Sequence, residues 1–253
     1  MYFCRSNFII LKRLIIDIGN TFTKMAVFSD DRLLDLQRFD SLNLDLLKEL
    51  SKQHPDLSAS ILSAVKDYPE TIDQWLSRRY HHLVMSRDLL FPFKNEYRTP
   101  ETLGKDRMAL AAGAVKKFQG ENVLVIDAGT TITYDLITED KRYLGGGISP
   151  GLQMRFRALN TFTGKLPLIN EIKAVPLIGK DTRTSILSGV LNGTVYEMEG
   201  IIRAYSDRFD KLKVVITGGD QLYFVKKLKN SIFAAPNLVL EGLNEILILN
   251  EGV

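Results

Sequence analysis

The stretch Leu14-Ile-Ile-Asp-Ile-Gly-Asn-Thr-Phe-Thr-Lys24 decides how this chain of 253 residues is interpreted. It begins with three apolar residues, which predict a buried strand. Gly19 and Asn20 then form a dipeptide typical of a tight turn, where a positive φ costs little. Alternation of apolar and polar residues resumes at Thr23. The stretch therefore predicts a β-hairpin with its turn at Gly19 and Asn20.

The same stretch has the residue types of a phosphate site. Successive backbone N–H groups in such a turn can converge on an anion, and Thr21, Thr23 and Lys24 add donors. Asp17 lies just before the turn, where a carboxylate can hold a hydrated metal ion that bridges phosphates. An ordinary hairpin whose Asp caps the turn fits equally well, so the stretch alone leaves both interpretations open.

A second copy of the pattern, Leu124-Val-Ile-Asp-Ala-Gly-Thr-Thr-Ile-Thr-Tyr134, follows at an offset of 110 residues, position 127 against position 17. An isolated hairpin has no reason to recur in this way, whereas a duplicated fold with a two-part site does. The residue types match at Leu14, Ile16, Asp17, Gly19, Thr21, Thr23 and Asp30 against Leu124, Ile126, Asp127, Gly129, Thr131, Thr133 and Asp140.

This duplicated pattern resembles the acetate kinase, sugar kinase, Hsp70 and actin superfamily. The resemblance implies a duplicated ribonuclease H-like (actin-like ATPase) α/β fold, with two similar domains around a nucleotide cleft. We expect an N-terminal domain over 14–98, a C-terminal domain over 99–253 and an extension over 1–13. No Gly-x4-Gly-Lys-Ser/Thr loop occurs in the sequence, which excludes a P-loop kinase.

The composition excludes several classes of protein. Hydrophobic residues make up 45% of the chain and charged residues 25%, which is ordinary for a globular protein. The net charge is +3 without a long basic run, so we expect no nucleic-acid partner. The single cysteine, Cys4, leaves no intrachain disulfide or Cys-based zinc site and favours the cytoplasm. The apolar patch within 1–13 is far shorter than the roughly 20 residues of a membrane span, so we expect no membrane partner.

Hydrophobic periodicity predicts strand, strand, strand, helix, strand, helix, strand for the first half, with a sheet of mixed order. An Ala-rich helix over 103–115 follows, with Asp106 in its first turn. Asp106 also fits an acid that simply complements the helix dipole. The glycines at 145–147 predict a loop that passes close to a ligand, with Pro150 at the first position of the next helix. A plain flexible loop is the alternative.

Two later features concern assembly and the nucleotide. Asp181 opens a long predicted helix in which Gly189 and Gly193 are four residues apart, a spacing that indicates close helix contact, here between subunits. A buried strand over 212–217 ends in Gly218 and Gly219. Such a pair at the carboxyl end of a strand is typical of the place where an α/β sheet meets a nucleotide.

An ordered set of motifs runs along nearly the whole chain after residue 13. The motifs are Asp17-x-Gly-Asn-Thr21, Leu103-Gly-x-Asp-Arg107, Asp127-x-Gly-Thr130, Gly146-Gly-Ile-x-Pro-Gly151, Leu166-Pro167, Thr182 and Thr217-Gly-Gly219. This set resembles the type III pantothenate kinases. The resemblance implies ATP-dependent phosphorylation of pantothenate to 4'-phosphopantothenate, the first step of coenzyme A biosynthesis, by a homodimer. Lys105 stands where the family usually has a small residue.

The resemblance also implies roles for individual residues. Asp106 would accept the proton of the pantothenate hydroxyl, and Asp127 would bind a monovalent cation, K⁺ or NH4⁺, which the family requires beside Mg²⁺. Thr182 would reach the pantothenate site of the partner chain. The residues implied for ATP are Asp17, Ile18, Gly19, Asn20, Thr21, Phe22, Thr23, Lys24 and Thr130. Those implied for pantothenate are Tyr97, Gly104, Lys105, Asp106, Arg107 and Thr182.

Two other functions remain open at this stage. One is another small-molecule kinase of the same superfamily or an exopolyphosphatase, for which the chain is short. The other is a non-catalytic homologue that acts as an accessory factor for transcription. The retention of Asp17, Asp106, Asp127 and Thr130 favours an enzyme over that second alternative.

Overall fold

The computed structural model describes residues 12–252, which form two compact units. The first unit contains the chain up to residue 92 together with 103–113 and 239 onwards, and the second contains 93–102 and 114–238. The expected single division between 98 and 99 stays a prediction. The two units differ from it, because 93–98 lie in the second unit, whereas 103–113 and the chain from 239 onwards lie in the first. Most of the expected extension, residues 1–11, lies outside the described residues, whereas residues 12 and 13 belong to the first strand.

The first unit is built on a five-stranded sheet of order β3-β2-β1-β4-β5. β1 pairs antiparallel with β2 and parallel with β4, so the predicted mixed sheet is confirmed. The predicted order of strands and helices is confirmed as well. The strands are β1 (Lys12–Ile18), β2 (Thr23–Ser29), β3 (Arg32–Phe39), β4 (Leu57–Ala64) and β5 (His81–Val84), and the helices are α1 (Leu44–Gln53) and α2 (Thr71–Ser77).

The two faces of β1 serve different purposes, because successive side chains of a strand point to opposite faces. Leu14, Ile16 and Ile18 lie in an apolar core with residues of α1 and α2. Arg13 and Asp17 lie on the other face, where Arg13 is held by a bidentate ion pair with Glu251 at 2.7 and 2.8 Å. The carboxylate of Glu251 therefore contacts the sheet on the same face as Asp17.

Two helices from later in the chain complete the first unit. They are α3 (Lys105–Lys117), of which residues up to 113 belong to this unit, and α8 (Leu238–Asn250). A Cβ added to Gly242 of α8 would overlap the backbone of Ala109 and Gly113. The two helices thus cross with their backbones in contact, which only glycine at 242 permits.

The second unit is built on a six-stranded sheet of order β11-β10-β7-β8-β9-β6. The second predicted hairpin is confirmed as β7 and β8, and the predicted buried strand over 212–217 is confirmed as β10. Its strands are β6 (Lys94–Asn95), β7 (Val123–Ala128), β8 (Thr131–Ile137), β9 (Arg142–Pro150), β10 (Lys213–Thr217) and β11 (Ile232–Ala234), and its other helices are α4 (Leu152–Thr161), α5 (Thr182–Leu187), α6 (Gly193–Ser206) and α7 (Gln221–Val225).

The predicted glycine loop at 145–147 is wrong, because these residues lie inside β9. The pairing of β8 with β9 shifts between Leu136 and Ile137, and Gly145 takes a φ of +97° at this irregularity. Glycine is the residue that such a bulge tolerates. Pro150 ends the strand and is not the first residue of a helix, since α4 begins at Leu152 after Gly151.

The predicted long helix after Asp181 is confirmed with an interruption. Asp181 caps α5 through a capping box with Thr184, and one π-helical stretch, Ser188–Asn192, connects α5 to α6. Gly189 and Gly193 are exposed, and an added Cβ on either would meet no described atom within 4 Å. A contact between subunits at these glycines stays a prediction. Over residues 12–252, no helix has the length and apolar character needed to cross a membrane.

Candidate active site

The first hairpin has a longer turn than predicted. β1 and β2 pair up to Ile18 and Thr23, which leaves the four residues of 19–22 in the turn. The Gly19 N–H donates to the Phe22 carbonyl at 3.0 Å. Gly19 does not take the positive φ that glycine allows, since the positive-φ glycines of the described chain are at 120, 145 and 218. Glycine relieves a tight contact here, because a Cβ would lie 3.1 Å from the Phe22 carbonyl oxygen.

The second hairpin repeats the first with a shift of one residue in register. Asp17 faces Lys24 across the first hairpin, whereas Asp127 faces Thr133 across the second. The turn of 129–131 is thus one residue shorter, with the Gly129 N–H donating to the Thr131 carbonyl at 3.0 Å. The predicted match of Thr23 with Thr133 is therefore wrong in register, because an offset of 110 residues holds only as far as the turn.

Asp17 lies in a row of polar side chains at the ends of three adjacent strands. The register places Lys24 of β2 on one side of it and Ser63 of β4 on the other. Burial raises the pKa of Asp17 to about 6, Lys24 opposes this increase, and the nearby charge of Asp106 adds to it. The structure therefore brings three expected site residues of the first unit, Asp17, Lys24 and Asp106, within electrostatic reach of one another.

Asp106 is held at the start of α3 by its own helix. Its Oδ1 accepts a hydrogen bond from the backbone N–H of Arg107 at 2.8 Å. A Cβ added to Gly104 would overlap the same oxygen, so glycine leaves the space that the carboxylate occupies. This position complements the helix dipole and also fixes the carboxylate for chemistry. Both predicted interpretations of Asp106 are compatible with its geometry.

The neighbours of Asp106 differ in exposure. Arg107 is buried, with 5% of its surface exposed, while Gly104 and Lys105 are partly exposed. Burial of a guanidinium requires partners within the fold. Arg107 can therefore offer a ligand only a small part of its surface.

In the second unit, Asp127 lies against two glycines. Gly218, at the end of β10, has a φ of +94°, and a Cβ there would overlap both Asp127 Oδ1 and the backbone of Ala128. A Cβ on Gly129 would lie 3.3 Å from the same carboxylate oxygen. The backbone N–H of Asp220 also donates to the Ala128 carbonyl at 2.9 Å. Carboxylate and carbonyl oxygens are the donors that hard cations prefer.

Thr130 lies at the tip of the second hairpin, where its side chain is exposed. Its carbonyl accepts a hydrogen bond from the Gly151 N–H at 3.1 Å, and a Cβ at Gly151 would overlap the carbonyls of Gly129 and Thr130. Arg155 of α4 donates to the Pro150 carbonyl at 2.7 Å and to Glu197 of α6 at 2.8 Å. The turn that carries Thr130 is thus supported by the start of α4.

The remaining expected site residues also belong to the second unit. Tyr97 is partly exposed, and its ring lies beside Tyr143 and over Gly145. Thr182 is exposed as the first residue of α5. The second unit thus holds Tyr97, Asp127, Thr130 and Thr182, whereas the remaining expected residues of the ATP and pantothenate sites belong to the first unit.

Sequence reasoning missed two residues near Asp17 and Phe22. Ser63 is fully buried, and its hydroxyl has no hydrogen-bond partner within residues 12–252. Its signal was a polar residue ending an apolar strand, the same position that Asp17 holds in β1. Arg38 places its guanidinium 3.4 Å from the ring centroid of Phe22 and so covers the first turn. No local pattern pointed to Arg38, because this contact joins the turn to another strand.

The described part of the chain contains no cluster of three or more His, Cys, Asp or Glu side chains that could hold a metal ion.

Solved structures define the class of protein. A ROK family glucokinase from Streptomyces griseus is 12% identical with a TM-score of 0.54 over 96% of this chain and 100% of that one. A protein from Campylobacter jejuni assigned to the Baf family of transcriptional activators is 21% identical with a TM-score of 0.61, over 95% of this chain and 100% of that one. At these identities the likeness concerns the fold alone, and it is the duplicated actin-like ATPase fold that the sequence predicted.

The sequence comparisons then identify the family. The family model described as type III pantothenate kinase matches residues 13–204. A type III pantothenate kinase of Christiangramia forsetii is 50% identical over 94% of this chain and 98% of its own length. That of Phocaeicola vulgatus is 44% identical over the same shares. The chain belongs to the type III pantothenate kinase family.

Proposed function

We propose that this chain transfers the γ-phosphoryl group of ATP to the primary hydroxyl of pantothenate. The product is 4'-phosphopantothenate, and the reaction begins coenzyme A biosynthesis in the cytoplasm. The observation that carries the proposal is the family match over 13–204, which includes every residue expected to do chemistry. The position of Asp106, fixed at a helix start within electrostatic reach of Asp17, supports it.

Asp106 is the proposed proton acceptor. Its carboxylate is oriented by the Arg107 N–H, which leaves its other oxygen for the hydroxyl of pantothenate. A carboxylate is a weak base, but phosphoryl transfer has a loose transition state in which the position of the acceptor matters more than its basicity. Asp106 therefore aligns the hydroxyl and takes its proton as the bond to phosphorus forms.

The ATP phosphates are assigned to 17–24 and to Thr130. Lys24 supplies positive charge, and the backbone of the first turn supplies N–H donors. The Asp17 carboxylate fits a hydrated Mg²⁺, since a nearby cation favours the ionised form that burial disfavours. Mg²⁺, when bound, neutralises phosphate charge.

The pantothenate site is assigned to Gly104, Lys105, Asp106, Arg107 and Tyr97, with Thr182 contributed by the partner chain of a homodimer. A guanidinium suits the pantothenate carboxylate. Because only a small part of Arg107 is exposed, the carboxylate can reach it from one direction only. Exposure of Thr182 at the start of α5 supports its assignment to a second chain.

Asp127 is the proposed ligand of a monovalent cation, K⁺ or NH4⁺. Asp127 Oδ1 and the Ala128 carbonyl oxygen both lie within 2.5 Å of where a Cβ on Gly218 would stand, so two oxygens converge at the end of β10. This convergence supports the proposal, because hard cations prefer oxygen ligands. Such an ion supplies positive charge near the phosphates when it is bound.

The test is a product assay on the purified chain. With ATP, Mg²⁺, K⁺ and pantothenate, mass spectrometry should detect 4'-phosphopantothenate. Glucose and N-acetylmannosamine, offered in place of pantothenate, should give no phosphorylated product. Phosphorylation of a sugar but not of pantothenate would reject the proposal in favour of another small-molecule kinase. The transcriptional alternative is not favoured, because the relatives at 44–50% identity carry the kinase name.

A further inference from the structure

The ring of Tyr97 rests on a part of β9 that has no side chain. A Cβ added to Gly145 would lie 2.9 Å from Cδ2 and 3.1 Å from Cε2 of Tyr97. Real Cβ atoms hardly ever make a contact this short, so any other residue at 145 would displace the ring. Because Gly145 also has a φ of +97°, the position is restricted to glycine by its backbone as well.

Tyr143 fixes the same ring from the side. The rings of Tyr97 and Tyr143 are 6.2 Å apart at 54°, and Phe93 lies 5.9 Å from Tyr143 on the same cluster. The Tyr143 hydroxyl donates to Asp135 Oδ1 at 2.6 Å, and Thr133 donates to Asp135 Oδ2 at 3.0 Å. Tyr143 and Asp135 are both fully buried. A buried carboxylate is costly unless such donors satisfy it.

The backbone around Tyr97 is attached to the same strand. β6 pairs in parallel with β9, with Asn95 opposite Tyr143. The Glu96 N–H donates to the Tyr143 carbonyl at 3.0 Å, and the Asn95 side chain accepts from the Tyr97 N–H at 3.0 Å. Hydrogen bonds of the backbone around Tyr97 and the neighbouring ring of Tyr143 therefore hold Tyr97 in place. Part of its surface stays exposed.

We propose that Asp135, Tyr143 and Gly145 are positioning residues that orient Tyr97 for pantothenate, an inference that rests on the function proposed above. None of the three is assigned a contact with substrate. Gly145 lies under the Tyr97 ring, and Tyr143, held by Asp135, lies beside it, so all three act through Tyr97. The Asp135 carboxylate accepts from the hydroxyls of Tyr143 and Thr133, so it fixes the Tyr143 ring against which Tyr97 lies. A side chain already ordered in its bound position lowers the cost of binding.

The experiment compares two glycines of the same strand. Gly145→Ala displaces Tyr97, whereas the matched control Gly147→Ala places its Cβ at an ordinary 3.5 Å from Tyr134. We expect Gly145→Ala to raise the KM for pantothenate about tenfold, with the KM for ATP within about twofold of wild type. Gly147→Ala should leave both KM values unchanged. Tyr143→Phe, which removes only the hydroxyl, should raise the KM for pantothenate about threefold.

A double variant separates positioning from a general structural effect. In Tyr97→Ala the ring that Gly145→Ala displaces is absent, so adding Gly145→Ala should not raise the KM for pantothenate further. Independent, multiplying effects would overturn the proposal. So would a KM for pantothenate in Gly145→Ala equal to that of Gly147→Ala.

Folding is checked by circular dichroism and gel filtration for every variant. If Gly145→Ala does not fold, Tyr143→Phe decides, and an unchanged KM for pantothenate in it rejects the proposal. If the wild type phosphorylates pantothenate but the variants give these negative results, only the positioning proposal is rejected and the proposed function holds. Absence of pantothenate turnover in the wild type itself would reject both.

Discussion

Asp17 combines a cost in stability with a proposed role in phosphate binding. Burial raises its pKa to about 6 from 3.8, Lys24 partly opposes this, and Asp106 adds to it. The folded state therefore binds the proton more tightly than the unfolded state, so stability falls as pH rises from about 4 to about 6. Above that window the ionised side chain lowers the free energy of unfolding by up to about 3 kcal/mol.

We therefore expect Asp17→Asn to raise the free energy of unfolding at pH 7.5 while it abolishes phosphoryl transfer. At pH 3.5, where Asp17 is protonated in the folded state and mostly protonated in the unfolded state, the substitution should have little effect on stability. Urea denaturation at the two pH values measures the difference. An equal effect at both would show that the charge of Asp17 is not what costs stability.

Asp106→Asn separates catalysis from helix capping at a single position. Asparagine keeps an oxygen that can accept from the Arg107 N–H, and it loses only the charge that complements the helix dipole, worth about 0.3–1 kcal/mol. We expect normal folding and a loss of about 10²- to 10⁴-fold in turnover, the range for removing a positioned general base. Steady-state kinetics and circular dichroism measure the two parts. A loss of less than about threefold would leave Asp106 with its helix role alone.

Asp127→Asn tests the proposed monovalent cation. The substitution removes the negative charge beside Gly218 and Gly129, so activity should require far more K⁺ or be lost at every K⁺ concentration. Initial rates over a K⁺ series at constant ionic strength give the measurement. Wild-type enzyme that works equally well when Na⁺ or a large organic cation replaces K⁺ would contradict this assignment.

At the level of strands and helices, Gly218 is a position where the sheet leaves no room for a side chain. Its φ is +94° and an added Cβ would overlap Ala128, whose backbone cannot move away as a side chain can. Gly218→Ala should lower the free energy of unfolding by about 2–3 kcal/mol, as strain and overlap combine. Gly219→Ala, whose Cβ meets nothing within 4 Å, should change it by less than about 0.5 kcal/mol. Chemical denaturation compares the two, and equal losses would refute the steric explanation.

The elements that the sequence predicted well are those with strong periodicity. The five strands of the first sheet and the helices α1 and α2 follow from apolar runs and helical spacing. β9 was missed because three glycines carry no side-chain pattern, and what places them in a strand is pairing with β8. The sequence could not predict the difference in register between the two hairpins. Asp17 and Asp127 have similar neighbours along the chain, and only their partners on the opposite strand differ.

Long-range packing was equally invisible to the sequence. α8 and the first turns of α3 belong to the first unit through Gly242 and Arg13, which are far from their partners along the chain. The candidate site was predictable in its residue types because the motifs are local. The partners that position them, such as Ser63 and Tyr143, come from other strands and appear only when the sheets are formed.

At the level of the whole molecule, the proposed homodimer has a defined consequence for the site. Asp106 and Thr182 are both assigned to pantothenate, but Thr182 is proposed to act in the site of the other chain. Two inactive variants can then complement each other. Asp106→Asn removes the proton acceptor, and Thr182→Arg places a bulky charge at the exposed start of α5. Each variant alone damages both sites of its own homodimer.

In a mixed dimer, one site collects both substitutions, and the other combines Asp106 of one chain with Thr182 of its partner and is intact. Random association of equal amounts makes about half of the dimers mixed, each with one working site of two. Co-refolding should therefore restore about a quarter of wild-type activity per chain, whereas each variant refolded alone stays inactive. Subunit exchange between chains with different tags, followed by gel filtration, verifies that mixed dimers form. If they form and activity does not return, each site is built within one chain, and Thr182 does not serve the pantothenate site of its partner.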